Sequence, residues 1–147
     1  MTLPADEAYS LKDPIRGRVL SCGTFDGFHP GHDAFLCQAR ALGDELFVVV
    51  ARDENVQRLK GRIPQQDEDT RLARVAHHES VDDARLGYPG SDFLRVVADV
   101  APQIIALGYD QRVPRRLHES FPACRIITLD PFEPDRYKSS LLREPRT

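Results

Sequence analysis

The chain has 147 residues, 41% of them apolar and 29% charged, enough for one ordinary globular domain with its own core and without room for a second. Its formal charge of -3, with Lys/Arg and Asp/Glu mixed along the whole length, excludes the basic face or tail of a duplex-binding protein but leaves open a small anionic ligand held by local cations. No stretch approaches membrane-spanning length and the first residues lack a secretory start, so a soluble cytoplasmic protein is expected, with neither nucleic acid nor membrane as a partner.

Residues 1–17 mix polar residues with Pro4 and Pro14 and read as an irregular lead-in to a folded domain over 18–147. Val19-Leu20-Ser21-Cys22 reads as a short buried strand; after a loop, Pro30 suits the first turn of a helix running to about Leu42 and closed by Gly43. Leu46 to Ala51 is a continuous apolar run rich in β-branched residues, which predicts a strand buried on both faces and therefore a parallel sheet. Next come a helix over about Glu68 to His78, a strand near Ala84-Arg85-Leu86, and a helix begun by Ser91 and stopped by Pro102. Strands at Ile104–Leu107 and Ile126–Leu129, with a short Pro114 to Ser120 helix between them, complete the alternation. The pattern predicts an α/β fold: a single-domain, Rossmann-like three-layer α/β/α arrangement on a five-stranded parallel sheet. In such sheets ligands bind beyond the carboxyl ends of strands, which directs attention to the loops after Cys22, Ala51 and Leu107.

The first of these loops is Gly23-Thr24-Phe25-Asp26-Gly27-Phe28-His29-Pro30-Gly31-His32. It joins a strand to a helix, where unpaired backbone N–H groups and the positive helix end favour phosphate. His29 precedes the helix and His32 lies in its first turn, so both imidazoles can face one polyphosphate, while Gly31 allows close backbone approach. There is neither a Walker Gly-x-x-x-x-Gly-Lys nor a dinucleotide Gly-x-Gly-x-x-Gly, which removes the main support for kinase and dehydrogenase readings. Lys60 and Arg62, placed in a loop after the second strand, are candidates to neutralise a departing pyrophosphate, against the alternative of a solvated basic turn. Asp110, at another strand end, is open to ribose, to Mg²⁺ or to simple loop capping; Ser139 and Ser140 bind phosphate or cap a terminal helix. Phe25 and Phe28 pack around a base or anchor the core. His77 and His78 are adjacent and diverge around a helix, so a surface pair is expected, and Cys22, Cys37 and Cys124 read as buried thiols with no metal spacing among them.

The ten-residue loop resembles the signature of the nucleotidylyltransferase (cytidylyltransferase-like) superfamily. Gly43 to Leu46, Ala51 to Val56, Leu59 to Arg62 and Leu107-Gly108-Tyr109-Asp110-Gln111 look most like the archaeal-type FAD synthases within it, and Lys138-Ser139-Ser140 is similar to their Ser-Ser turn. The resemblance implies transfer of AMP from ATP to the phosphate of FMN, giving FAD and pyrophosphate. It implies His29, His32 and Lys60 as the catalytic groups. Gly23, Thr24, Phe25, Asp26, Gly31, Arg62, Gly108, Asp110, Ser139 and Ser140 would surround the nucleotide. Mg²⁺ is expected as the cation that bridges the phosphates, and dimers are usual among the families resembled. A CTP-dependent enzyme of the glycerol-3-phosphate cytidylyltransferase type is the alternative. That family's Trp is absent here, and Asp135-Arg136-Tyr137-Lys138-Ser139-Ser140 replaces its Arg-Thr-x-Gly-Ile-Ser-Thr-Thr element. A nucleotide-binding module without turnover is the reading from another class; retention of both histidines, Lys60 and the serine pair weighs against it.

Overall fold

The computed structural model describes residues 17–90, 92–114 and 116–131. The lead-in before Gly17, Ser91 as a helix start, and the Ser139-Ser140 pair lie outside the described residues. In chain order the elements are β1 (Arg18–Gly23), α1 (Pro30–Arg40), β2 (Glu45–Val50), α2 (Asp53–Lys60), α3 (Glu68–Ala76), β3 (Asp83–Leu86), α4 (Phe93–Val100), β4 (Ile104–Leu107), α5 (Leu117–Ser120) and β5 (Arg125–Thr128). All neighbouring strands run parallel in one sheet of order β3-β2-β1-β4-β5, with Val19 opposite Leu46 on one side and Ile104 on the other. The order reverses at β1, between β2 and β4, so the expected five-stranded parallel sheet opens its crevice beyond Gly23.

Strand alternation splits the core in two. Val19, Leu46, Val48, Val50, Ile104 and Ala106 face α1 and α3, where Leu36, Ala39 and Val75 close the layer. Leu20, Val49, Ile105 and Leu107 face α4 and α5, against Val96, Val97, Val100 and Leu117. This is the three-layer packing the period-2 and period-3.6 patterns predict. Among the described residues no helix is long and apolar enough to cross a membrane.

The elements depart from the sequence expectation in places, one of them at the site. The segment after β2 is not a loop as far as Lys60: Asp53–Lys60 is a helix, with Gly61 closing it in the left-handed conformation at φ 77°. Its only buried apolar residue is Val56, while Leu59 is 70% exposed, so it shows no apolar stripe for a periodicity argument to find. The boundaries of the first long helix and the last short one also shift: α1 ends at Arg40 and continues only as tight turns through Leu42 and Gly43, and α5 begins at Leu117 rather than Pro114. The helix expected from Ser91 is capped instead by Asp92, whose side chain accepts from the Arg95 N–H.

Candidate functional site

The start of α1 is built by its own histidines. His29 is the N-cap residue, in extended conformation, and its Nδ1 accepts from the Gly31 N–H at 3.0 Å. In return, His32 Nδ1 accepts from the His29 N–H at 3.2 Å. This is the reciprocal geometry of a capping box with imidazoles in both roles usually taken by Ser/Thr and Glu/Gln, and Pro30 fills the first helical position. The consequence is chemical. An Nδ1 that accepts from backbone holds the neutral ring in its Nε2–H form, so each imidazole keeps a donor on the edge turned away from the cap. The rings stack with centroids 3.8 Å apart. Burial, reinforced by His29 and Lys60 and opposed by Asp26, lowers the His32 pKa to about 4; burial also lowers that of His29. Both rings are therefore neutral hydrogen-bond donors at physiological pH, at the positive end of a helix.

Thr24, Phe25 and Asp26 form the wall of this turn. Phe25 is buried, takes a left-handed backbone at φ 54°, and places its ring edge-on to His32 at 5.5 Å. The ring also lies over Gly23, where an added Cβ would come within 2.8 Å of it. Gly23 is thus needed for Phe25 to fold back, and Phe25 supports His32 from the core side. Asp26 engages both carboxylate oxygens with backbone, accepting from the Gln65 N–H at 2.9 Å and the Gln66 N–H at 3.0 Å. Gln66 Oε1 in turn accepts from the Gly27 N–H. Asp26 therefore clasps the loop after β1 to the loop after α2.

Lys60, the last residue of α2, places Nζ 3.3 Å from Thr24 Oγ1 and is close enough to His32 to depress its pKa. Arg62 follows two residues later, exposed. On the β4 side, the Gly108 N–H donates to Gln111 Oε1 at 2.7 Å, and Gln111 Nε2 donates to the Cys22 carbonyl at 3.0 Å, binding the fourth-strand loop to the end of β1. Asp110 is exposed beyond it. The structure thus brings Gly23 to Asp26, His29, Gly31, His32 and Lys60 together at one sheet end, and sets Gly108 and Asp110 on the neighbouring loop.

Sequence reasoning missed the polar frame behind this turn. Arg71 on α3 is fully buried and donates to the Thr24 carbonyl at 2.9 Å, the Gln66 carbonyl at 2.9 Å and Asp53 Oδ1 at 2.6 Å. Asp53 and Glu68 each accept from the other's backbone N–H, joining the starts of α2 and α3. An Arg at an inward helical position of α3 with Asp-Glu at the start of the preceding segment was the available signal, but it has no meaning until α2 is known to be a helix.

Two other expectations are corrected. His78 is not half of a surface pair: it is buried, with Nε2 2.7 Å from Asp33 Oδ1, and its ring lies 5.9 Å from Phe28. His77 is exposed, with Nδ1 2.7 Å from the Ala73 carbonyl. Cys37 is exposed rather than buried, whereas burial raises the Cys22 thiol to about 12 against the pull of Arg85, and raises Cys124 too. Asp33, Cys37 and His78 bring potential metal-ligand atoms within 4.8 Å of one another. The donor set does not fit a metal, because the Ser80 N–H donates to His78 Nδ1 at 3.0 Å. The ring proton then sits on Nε2 and is given to Asp33, whereas a metal-bound imidazole needs Nδ1–H facing an acceptor.

Across Gly23, on the α4 side of the sheet, a cleft of about 120 Å³ lies beyond β1, β2 and β3, lined mainly by apolar groups of Cys22, Val49, Tyr88, Phe93 and Val96, with Asn55 and Asp92 also in its lining. One end of the sheet therefore offers a donor-rich turn on one side and an apolar recess on the other.

The cytidylyltransferase-like family profile matches residues 20–144. Over 132 residues, covering 86% of this chain and 92% of the relative, the sequence is 38% identical to an FAD synthase of Thermoplasma acidophilum. It is 50% identical to the FAD synthase of Methanosarcina mazei over 76% of this chain and 72% of that one. With the FAD synthase of Aciduliprofundum boonei it shares 53% identity over 65% of this chain and 62% of the relative's length. Among solved structures, it is similar to the lipopolysaccharide core biosynthesis protein from Thermoplasma volcanium, with a TM-score of 0.73 and 39% identity over 79% of this chain and 98% of that one. A pantothenate synthetase from Thermus thermophilus, 15% identical with a TM-score of 0.54 over 84% of this chain and 59% of that one, shares the fold.

Proposed function

The chain belongs to the cytidylyltransferase-like family, and from that premise we propose that it is an FMN adenylyltransferase, transferring AMP from ATP to the phosphate of FMN with release of pyrophosphate. The observation that carries the chemistry is the pair of Nε2–H imidazoles at the start of α1, neutral and locked by backbone on their Nδ1 atoms. An FMN phosphate oxygen, already ionised, attacks the α-phosphorus; the bond to the bridging oxygen breaks and pyrophosphate leaves with the electron pair. No general base and no covalent enzyme intermediate are required. His29 and His32 donate to phosphate oxygens whose charge grows during the attack, and they do so without reorienting, which is where preorganised donors act most strongly. Lys60, from the end of α2, stabilises the leaving pyrophosphate, with Arg62 on the following loop as its companion.

The apolar cleft across Gly23 suits the flat ring system of the acceptor, since it lies at the same sheet end and offers few polar groups. Mg²⁺ bound with the triphosphate would supply charge neutralisation. Asp26 is not offered as its ligand, because both oxygens already accept from backbone N–H groups. Asp110 is the exposed carboxylate on the neighbouring loop and remains the candidate for ribose or cation.

The deciding experiment supplies FMN with ATP, and glycerol 3-phosphate with CTP, each with Mg²⁺. FAD and pyrophosphate are expected from the first pair, with little product from the second. Pyrophosphate only from CTP and a polyol phosphate would move the chain to the cytidylyltransferase branch and reject FMN as acceptor.

A further inference from the structure

We propose that Arg71 is a positioning residue for the transfer: it sets Lys60 and Thr24 against the phosphates without touching substrate itself. The inference rests on the adenylyltransferase reading of the same site. Its basis is the set of segments that this one side chain joins. The guanidinium is wholly buried, and its three nitrogens donate to three separate pieces of chain. One goes to the Thr24 carbonyl in the loop after β1, one to the Asp53 carboxylate at the first residue of α2, and one to the Gln66 carbonyl in the loop after that helix. Lys60 stands at the other end of α2, and its ammonium meets the hydroxyl of the same Thr24 whose carbonyl Arg71 holds.

The circuit therefore closes on itself: Arg71 to Thr24, Thr24 to Lys60, Lys60 through α2 to Asp53, and Asp53 back to Arg71. Asp53 is fixed a second time by its reciprocal hydrogen bonds with Glu68, so α2 is pinned at its start as a rigid lever for Lys60. The rest of its anchoring is polar as well: buried Asn55 donates to the Tyr88 carbonyl at 2.9 Å and accepts from the Gly90 N–H at 3.1 Å, and the Arg52 side chain donates to the Gly87 carbonyl at 2.6 Å. Val56 is its one buried apolar residue, against Val96, Val97 and Val100 on α4, so its orientation rests on polar anchors, with Arg71 the one that ties it to Thr24. A planar guanidinium with a fork of donors can hold all three partners at once; a lysine ammonium at the same place carries the charge but not the geometry.

The experiment is a double-mutant cycle with FMN, ATP and Mg²⁺, with turnover expressed per folded molecule. Arg71→Lys is expected to lower kcat about tenfold with little change in the KM for ATP, because orientation rather than charge is lost. In a Lys60→Ala background, Arg71→Lys should cost almost nothing further, since the group it orients is gone. Asp53→Asn breaks the same link from its half-exposed end and should reproduce the pattern if Arg71→Lys fails to fold. Losses that multiply, or wild-type kcat in both Arg71→Lys and Asp53→Asn, would overturn the proposal. A ligand-free readout separates this from the fate of the function itself: the Thr24 amide and Lys60 side-chain NMR resonances should move in Arg71→Lys and in Asp53→Asn whatever the substrate. Unmoved resonances reject the positioning role. Moved resonances in a chain that turns over neither substrate pair support the placement and reject only the adenylyltransferase reading.

Discussion

On the α4 side of the sheet, Leu20, Val49, Ile105 and Leu107 meet Val96, Val97 and Val100, and almost every buried contact is between apolar groups. On the α1 side, Val19, Val48 and Ala106 form an equally buried layer, yet it also encloses Ser21, Arg71 and His78 and is topped by the stacked His29 and His32. Burying such groups costs stability unless each finds its partner; Arg71 has three acceptors and His78 both a donor and an acceptor, whereas Ser21 Oγ has no hydrogen-bond partner among the described residues. Non-directional packing holds the first face, and each fully buried Val or Leu there contributes about 1.5–3 kcal/mol. Directional bonds also hold the second, and they fix orientation as well as adding stability. A reaction that depends on donors aimed at phosphate oxygens belongs on that face.

The largest effect that would test this contrast is on turnover. His32→Ala removes one preorganised donor together with one arm of the capping box, and kcat should fall by roughly 10²–10³-fold, with ATP affinity falling much less. Lys60→Ala should approach the same loss through the leaving group. Val97→Ala, on the opposite face, should do the reverse: about 2 kcal/mol of stability lost in chemical denaturation, with kcat per folded molecule unchanged. Normal turnover in His32→Ala, or a large kcat loss in Val97→Ala, would erase the distinction between the faces.

What the sequence made legible follows the same division. Runs such as Leu46 to Val50 and Ile104 to Leu107 report burial on both faces directly, so the parallel sheet and its helices were readable. The Gly-Thr-Phe-Asp and His-Pro-Gly-His residues were readable because backbone geometry and chemistry coincide within ten positions. The supports were not. Arg71 reaches Thr24 across 47 positions and His78 reaches Asp33 across 45, and a charged residue at an inward helical position looks like a break in the apolar pattern until its partners are known. Helix α2 escaped for a related reason: it is anchored by polar bonds at its start and shows only one buried apolar side chain. The motif places Asp26 at the nucleotide, while both of its carboxylate oxygens accept from the loop that carries Gln65 and Gln66.

A smaller effect sharpens the comparison through pH. His32 has a folded-state pKa of about 4 against an ordinary value near 6.5, so the unfolded chain binds the extra proton first as pH falls. The stability contribution is fully present above about pH 6.5 and is lost progressively toward pH 4, at no more than about 1.4 kcal/mol per pH unit from this one group. His29, lowered in the same direction, steepens the limb. Denaturation midpoints measured from pH 7 to pH 4 should therefore fall less steeply for His32→Asn than for the unaltered protein. Identical slopes would mean that His32 is not held neutral by its surroundings.

The smallest effect is expected at His77, one residue from a histidine that matters more. His77 is exposed, and its hydrogen bond to the Ala73 carbonyl lies at the open end of α3, so His77→Ala should cost about 0.5 kcal/mol or less and leave turnover unchanged. His78 differs because its ring packs near Phe28, Phe28 lies 5.4 Å from His32, and the Arg74 guanidinium lies over the Phe28 ring at 4.2 Å. A nucleotide that engages His32 must press on that stack. In an NMR titration with ATP and Mg²⁺, His29, His32 and the Thr24 to Asp26 amides should shift most, His78 should follow weakly through Phe28, and His77 should stay still. A response at His77 equal to that at His78 would show that the signal travels along the helix backbone instead of through the packed rings, and the claim that directional contacts define the working face would fail at its outer edge.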